Sequence, residues 1–120
     1  DSDYLPHNYP QNCVAYTSTH DNNTTLGWLS SAPEAEKKRA FDYLRVRENE
    51  GPVKAAICAI WGSVAELAIV TMQDLLELGA EARMNTPGTS CGNWQWRMKP
   101  QTDLSKPFSW LENISKLYGR

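Results

Sequence analysis

Residues 13–25 read CVAYTSTHDNNTT. The first half alternates weakly, with Val14 and Tyr16 on one side and Cys13, Ala15 and Thr17 on the other. That spacing predicts a short strand over Asn12–Ser18 with at least one face buried. The second half is polar throughout and places His20, Asp21, Asn22 and Asn23 where the strand ends. On α/β scaffolds the carboxyl ends of strands are where ionisable side chains gather to do chemistry. Two readings of Asp21 stand at this point. It can cap a helix or close an Asx turn, which Asp-Asn-Asn-Thr suits well. It can equally be a site carboxylate beside a histidine.

Outward from this stretch the pattern changes several times. Residues 1–11 carry two prolines and no periodicity, so they read as loop. Ser31 and Glu34 have the spacing of a capping box, with Pro33 between them, and predict a helix start near Ser31. Ala40, Phe41 and Leu44 then give an amphipathic surface helix that frays through Arg47–Glu50 and stops at Gly51. Pro52 opens another helix, apolar on nearly every side from Val53 and so buried on most of them, expected to run to about Glu66. Residues 67–72, LAIVTM, have the form of a parallel strand covered on both faces. Gln73–Leu78 reads as one or two helical turns closed by Gly79. A long loop follows to Met98, and Pro107 opens a last helix with Trp110, Leu111, Ile114, Leu117 and Tyr118 in one stripe. Strand, helices, strand, helix is βαβ logic. Two strands cannot cover a parallel sheet, and a barrel of eight βα units needs about 250 residues. The expectation is therefore α/β: βα units from the end of a (β/α)8 barrel, mostly helical with two short parallel strands. Residues 1–120 form one partial domain.

Composition narrows the function. The 120 residues are 41% hydrophobic and 22% charged, with a formal charge of −2, so neither nucleic acid nor an anionic membrane is an electrostatic partner. Three unpaired-looking cysteines, Cys13, Cys58 and Cys91, read as reduced thiols in a cytoplasmic protein. There is no apolar run long enough for a membrane span, and DSDYLPHNYP is unlike a signal peptide. The chain begins without Met, as if cut from something longer. Sequons at Asn22, Asn23 and Asn113 are short patterns with nothing else to suggest secretion. His7, His20 and the cysteines show no metal-clip spacing, so neither a metal nor any other cofactor is expected.

GTSCG, residues 88–92, fits the G-x-S-x-G nucleophile elbow by letter. That elbow needs a strand before it, a helix after it and a later histidine; here both histidines come earlier, so the stretch reads as a glycine-rich loop. Cys13 and His20 fall on opposite faces of an extended strand and make a poor nucleophilic pair. The tryptophans point elsewhere. Trp28, Trp94 and Trp96 fall in or beside loops, near Gln95 and Arg97, whereas Trp61 and Trp110 sit on apolar helix faces and belong to the core. Flat rings take the C–H faces of sugars, while amides, carboxylates and guanidinium groups take the hydroxyls.

PHNY, then CVAYTSTHDNNTTLGWL, then VTMQDLLELGAEARMNTPGTSCGNWQWRM resemble the C-terminal part of the 4-alpha-glucanotransferases, the amylomaltases or disproportionating enzymes of glycoside hydrolase family 77. The two blocks cover residues 6–29 and 67–98, and the last helix with its LYGR ending also fits. The resemblance implies a barrel enzyme that moves α-1,4-glucan segments to glucose or glucan acceptors by a retaining mechanism. It implies that Asp21 is the third catalytic carboxylate, holding the 2- and 3-hydroxyls of the sugar at the cleavage point. His20 is implied to contact the same sugar, and Asn85 to lie in the substrate cleft. The nucleophile and acid/base belong to earlier strands, so the isolated chain is expected to be inactive and to self-associate through its open edges. Its partners are α-1,4-glucans and maltooligosaccharides. A non-catalytic glucan-binding or regulatory module built on the loop tryptophans is the competing expectation. The family pattern usually has Gly at Ser18, often Asp at Asn23 and usually Pro at Thr71; a side chain at Ser18 is expected to crowd a neighbouring strand.

Overall fold

A computed structural model describes residues 2–120. Two strands, β1 (Val14–Tyr16) and β2 (Leu67–Ile69), pair in parallel, with Val14 opposite Leu67, Ala15 opposite Ala68 and Tyr16 opposite Ile69. Between them run α1 (Thr25–Ser31), α2 (Glu34–Leu44) and α3 (Gly51–Trp61). After β2 come α4 (Met72–Leu75), a 3-10 turn over Ala80–Ala82 and α5 (Ser105–Tyr118). The α/β character and the parallel pairing agree with the sequence pattern, although both strands are shorter than expected.

The core gathers on α3, whose all-round apolar pattern required burial. Val53, Ile57, Ile60 and Trp61 are buried, together with Ala15 from β1, Ala65 and Ile114 from α5. Alternation along β1 turns Ala15 inward and leaves Val14 and Tyr16 about half exposed. Trp110 packs against the core without being fully buried, and the Lys54 ammonium lies 5.4 Å from its ring centre. Leu117 and Tyr118, at the end of the same stripe, are exposed.

Several boundaries differ from the sequence pattern. Helix α1 was hidden inside the polar run: Thr24 caps it, its Oγ1 accepting from the Gly27 N–H at 3.0 Å. Ser31 caps nothing. It is the last residue of α1, and its hydroxyl turns back to the Gly27 and Trp28 carbonyls. Ala32 goes extended because Pro33 follows, and Pro33 itself precedes the first turn of α2. Helix α3 stops at Gly62, five residues before β2, rather than running to Glu66. Helix α5 opens at Ser105, which puts Pro107 in the first turn, where its missing N–H costs no hydrogen bond.

The α3–β2 connection is held from a distance. The Arg120 guanidinium donates to the carbonyls of Trp61 (2.7 Å), Ser63 (2.9 Å), Ala65 (2.7 Å) and Glu66 (3.4 Å). Trp61 Nε1 donates to Ser115 Oγ at 3.0 Å. These bonds seat α5 across the entry to β2, which fixes the strand beside β1.

Candidate functional site

The polar turn after β1 is built in three layers. Innermost, Thr19 and Asn22 close it locally: Asn22 Oδ1 accepts from the Thr19 N–H and hydroxyl, both at 2.9 Å. Asp21 is therefore free of capping duty, and its side chain is half exposed. The helix cap three residues on belongs to Thr24, so Asp21 does not cap α1.

The second layer comes from residues 83–85, brought across by the 3-10 turn that packs on α1. Arg83 Nη2 donates to the Asp21 carbonyl at 2.8 Å, and its Nε donates to the Asn85 carbonyl at 2.8 Å. The Asn85 N–H donates to the His20 carbonyl at 3.0 Å. Asn85 Nδ2 donates to Asp21 Oδ1 at 2.7 Å, and His20 Nε2 lies 3.3 Å from the same oxygen. The structure thus brings His20, Asp21 and Asn85 together. Among the described residues the other carboxylate oxygen, Oδ2, makes no hydrogen bond to protein. A carboxylate held by one oxygen and open at the other can accept from a hydroxyl donor without reorganising.

The third layer is aromatic. The Trp94 ring lies 5.1 Å from the His20 ring, tilted by 40°. Trp94 sits in the left-handed region at φ 62, and its N–H donates to the Met84 carbonyl at 2.7 Å. Arg97 Nη1 bridges the Trp94 and Trp96 carbonyls. Beside these groups opens a cleft of about 170 Å³, lined by His20, Arg83, Met84 and Trp94 on the loop side and by Ser18 and Gln73 beneath. Trp28 does not join them: it lies on α1, away from this cleft. Residues 88–92 have neither a strand before them nor a helix after them, so the nucleophile elbow is absent. Among the described residues no three or more His, Cys, Asp or Glu side chains converge as metal ligands.

Two residues of this arrangement escape the sequence. Arg83 had no local signal, since it acts through a carbonyl 62 positions away. Asp74 is fully buried, and its carboxylate accepts from the hydroxyls of Thr17 (2.7 Å), Ser18 (2.6 Å) and Thr25 (2.9 Å) and from the Thr25 N–H (2.7 Å). The signal was an acid inside the apolar run LAIVTMQDLL facing a hydroxyl-rich partner. Ser18 does not crowd its neighbours; its hydroxyl is drawn into this buried set, 3.5 Å from Thr71 Oγ1.

Residues 1–103 match the family model described as 4-alpha-glucanotransferase. A 4-alpha-glucanotransferase from Clostridium butyricum is 44% identical over 98% of this chain and 24% of that protein. One from Streptococcus pneumoniae serotype 4 is 49% identical over 96% of the chain and 23% of its own length. The Arabidopsis thaliana protein DPE1, named chloroplastic/amyloplastic, is 42% identical over the whole chain and 21% of its length. Among solved structures, amylomaltase from Streptococcus agalactiae in complex with acarbose superposes with a TM-score of 0.94 at 38% identity, covering 100% of this chain and 24% of that one. The chain therefore spans about a quarter of the length of the proteins it matches. From the matched residues and the shared geometry, this chain belongs to the 4-alpha-glucanotransferase family, glycoside hydrolase family 77.

Proposed function

We propose that these residues form the C-terminal βα units of the (β/α)8 barrel of a cytoplasmic 4-alpha-glucanotransferase, as one partial domain over residues 1–120. The complete protein transfers α-1,4-glucan segments to glucose or glucan acceptors through a retaining mechanism. The observation that carries this reading is the open oxygen of Asp21 at the exit of a parallel strand, with its partner oxygen held by Asn85 at 2.7 Å. A retaining mechanism passes through an oxocarbenium-like transition state and uses two further carboxyl groups. Asp21 is neither of them. Its role is to grip ring hydroxyls: as positive charge grows at the ring, charge-assisted bonds to the 2-hydroxyl strengthen and favour the flattened sugar. Asn85 and His20 fix the carboxylate and present donors along the same edge. The Trp94 ring offers an apolar face beside them.

The test uses the complete protein, maltotriose and isotope-labelled glucose. Label is expected to enter maltooligosaccharides, because the cleaved segment passes to the acceptor. Maltotriose broken down only to shorter sugars, with no product longer than maltotriose and no label leaving glucose, would mean hydrolysis and defeat the proposal. The isolated 120-residue chain is expected to release no glucose from maltotriose.

A further inference from the structure

We propose that Asp74 is a positioning residue for the reaction, setting the orientation of Asp21 by holding both ends of the turn that carries it. The inference rests on the role proposed for Asp21 above. The turn leaves β1 at Thr17 and Ser18 and re-enters regular structure at Thr25, the first residue of α1. All three residues donate to the one buried carboxylate, at 2.6 to 2.9 Å through hydroxyls and at 2.7 Å through the Thr25 N–H. Asp74 is itself fixed from behind: its N–H donates to Thr71 Oγ1 at 3.2 Å as part of the α4 cap. The six residues between Ser18 and Thr25 therefore span two points fixed to the same two oxygens. A loop closed at both ends on one rigid group has little freedom to translate its tip, and misplacement of a catalytic group by about 1 Å can cost about a hundredfold in rate.

The chemistry of the buried site argues that this is more than filling. Among the described residues Asp74 forms no ion pair, yet it is fully buried and leaves no polar atom unpartnered. A carboxylate without a counter-cation in that setting requires several directed donors, and the donors here come from the segments that bound the turn. Asparagine at this position keeps the shape and can still accept from the Thr25 N–H. Its amide donates where the carboxylate oxygen accepted, so all three hydroxyls have to reorient around it. The turn then keeps its sequence and loses its fixed frame.

The experiment is a double-mutant cycle in the complete protein, measuring kcat and KM for maltotriose disproportionation and the thermal midpoint of each variant. Asp74→Asn is expected to lower kcat at least tenfold while KM stays within about twofold, at temperatures where the variant is fully folded. Asp21→Asn/Asp74→Asn is expected to be within about threefold of Asp21→Asn alone, because Asp74 acts through Asp21. Wild-type kcat in Asp74→Asn, or losses that multiply in the double variant, would overturn the proposal. If Asp74→Asn does not fold, Ser18→Ala removes one donor and runs the same cycle, with a loss of about threefold to tenfold expected and multiplied losses overturning. If Asp21→Asn alone keeps full turnover, the role given to Asp21 fails, and any loss in Asp74→Asn then overturns positioning through it.

Discussion

At the scale of single residues, His20, Asp21 and Asn85 were legible because long motifs carry them, and the structure gathers them around one carboxylate oxygen. Asn85→Ala removes that hydrogen bond and frees the Asp21 side chain. Turnover of the complete enzyme is expected to fall by about tenfold or more, consistent with a charge-assisted bond of about 1.5–3 kcal/mol. Wild-type turnover in that variant would show that Asn85 does not orient Asp21. Asp74 was not legible, since an acid in a first helical turn usually serves the helix dipole. The thiols give a chemical check. Burial, reinforced by Glu50, pushes the Cys58 thiol up, so it carries less thiolate at pH 8 than an unperturbed cysteine, while Cys91 is exposed. Iodoacetamide at pH 8 followed by peptide mapping is expected to label Cys91 first and Cys58 much later; equal rates would contradict the packing around α3 and Tyr118.

At the scale of elements, the long apolar signal of α3 and the parallel run LAI were readable, while the short α1 was not. Seven residues beginning in Thr-Leu-Gly offer too little periodicity to outweigh the polar turn before them. The α3 overshoot has a similar origin: Val64 and Ala65 extend the apolar pattern past Gly62, although the chain has already turned toward β2. The contact that lets α1 approach the 3-10 turn leading into residues 83–85 is at Gly27. A Cβ there would lie 2.4 Å from Asn23 Oδ1 and 2.9 Å from the Ala80 backbone nitrogen. Gly27→Ala is therefore expected to lower stability by about 1–3 kcal/mol, as overpacking does, and to reduce turnover by shifting Asn85. An unchanged thermal midpoint with full activity would show that the approach is looser than the backbone suggests. Arg120→Ala strips four carbonyls of their donor and is expected to lower the thermal midpoint, with a loss of about 1–2 kcal/mol, while leaving glucan binding intact.

At the scale of the whole molecule, the chain behaves as part of something larger. Its radius of gyration is 14.7 Å, against about 13.6 Å for a compact domain of this length. Val14, Tyr16 and Leu67 on the two strands remain about half exposed, and a hollow of about 810 Å³ lined by Tyr9, Tyr16, Trp28, Leu29 and Tyr43 lies open beside them. A two-stranded parallel sheet bare on one face is marginal in water. The isolated chain is thus expected to self-associate, seen as a rise in scattering mass with concentration; a monomer at all concentrations would indicate that these surfaces need no cover. Composition revealed an ordinary globular protein and could not show that the chain is part of a longer fold. Two strands, too few to cover a parallel sheet, pointed that way, and the chain spans about a quarter of the length of the proteins it matches.

Asp21→Asn in the complete enzyme bears most directly on the site. The substitution keeps the shape and removes the charge that, in the role proposed for Asp21, ring hydroxyls meet in the transition state. The kcat for maltotriose disproportionation is expected to drop by about two to three orders of magnitude, the scale of losing one transition-state contact, with KM changed far less. A variant that turns over at the wild-type rate would show that Asp21 takes no part in the chemistry.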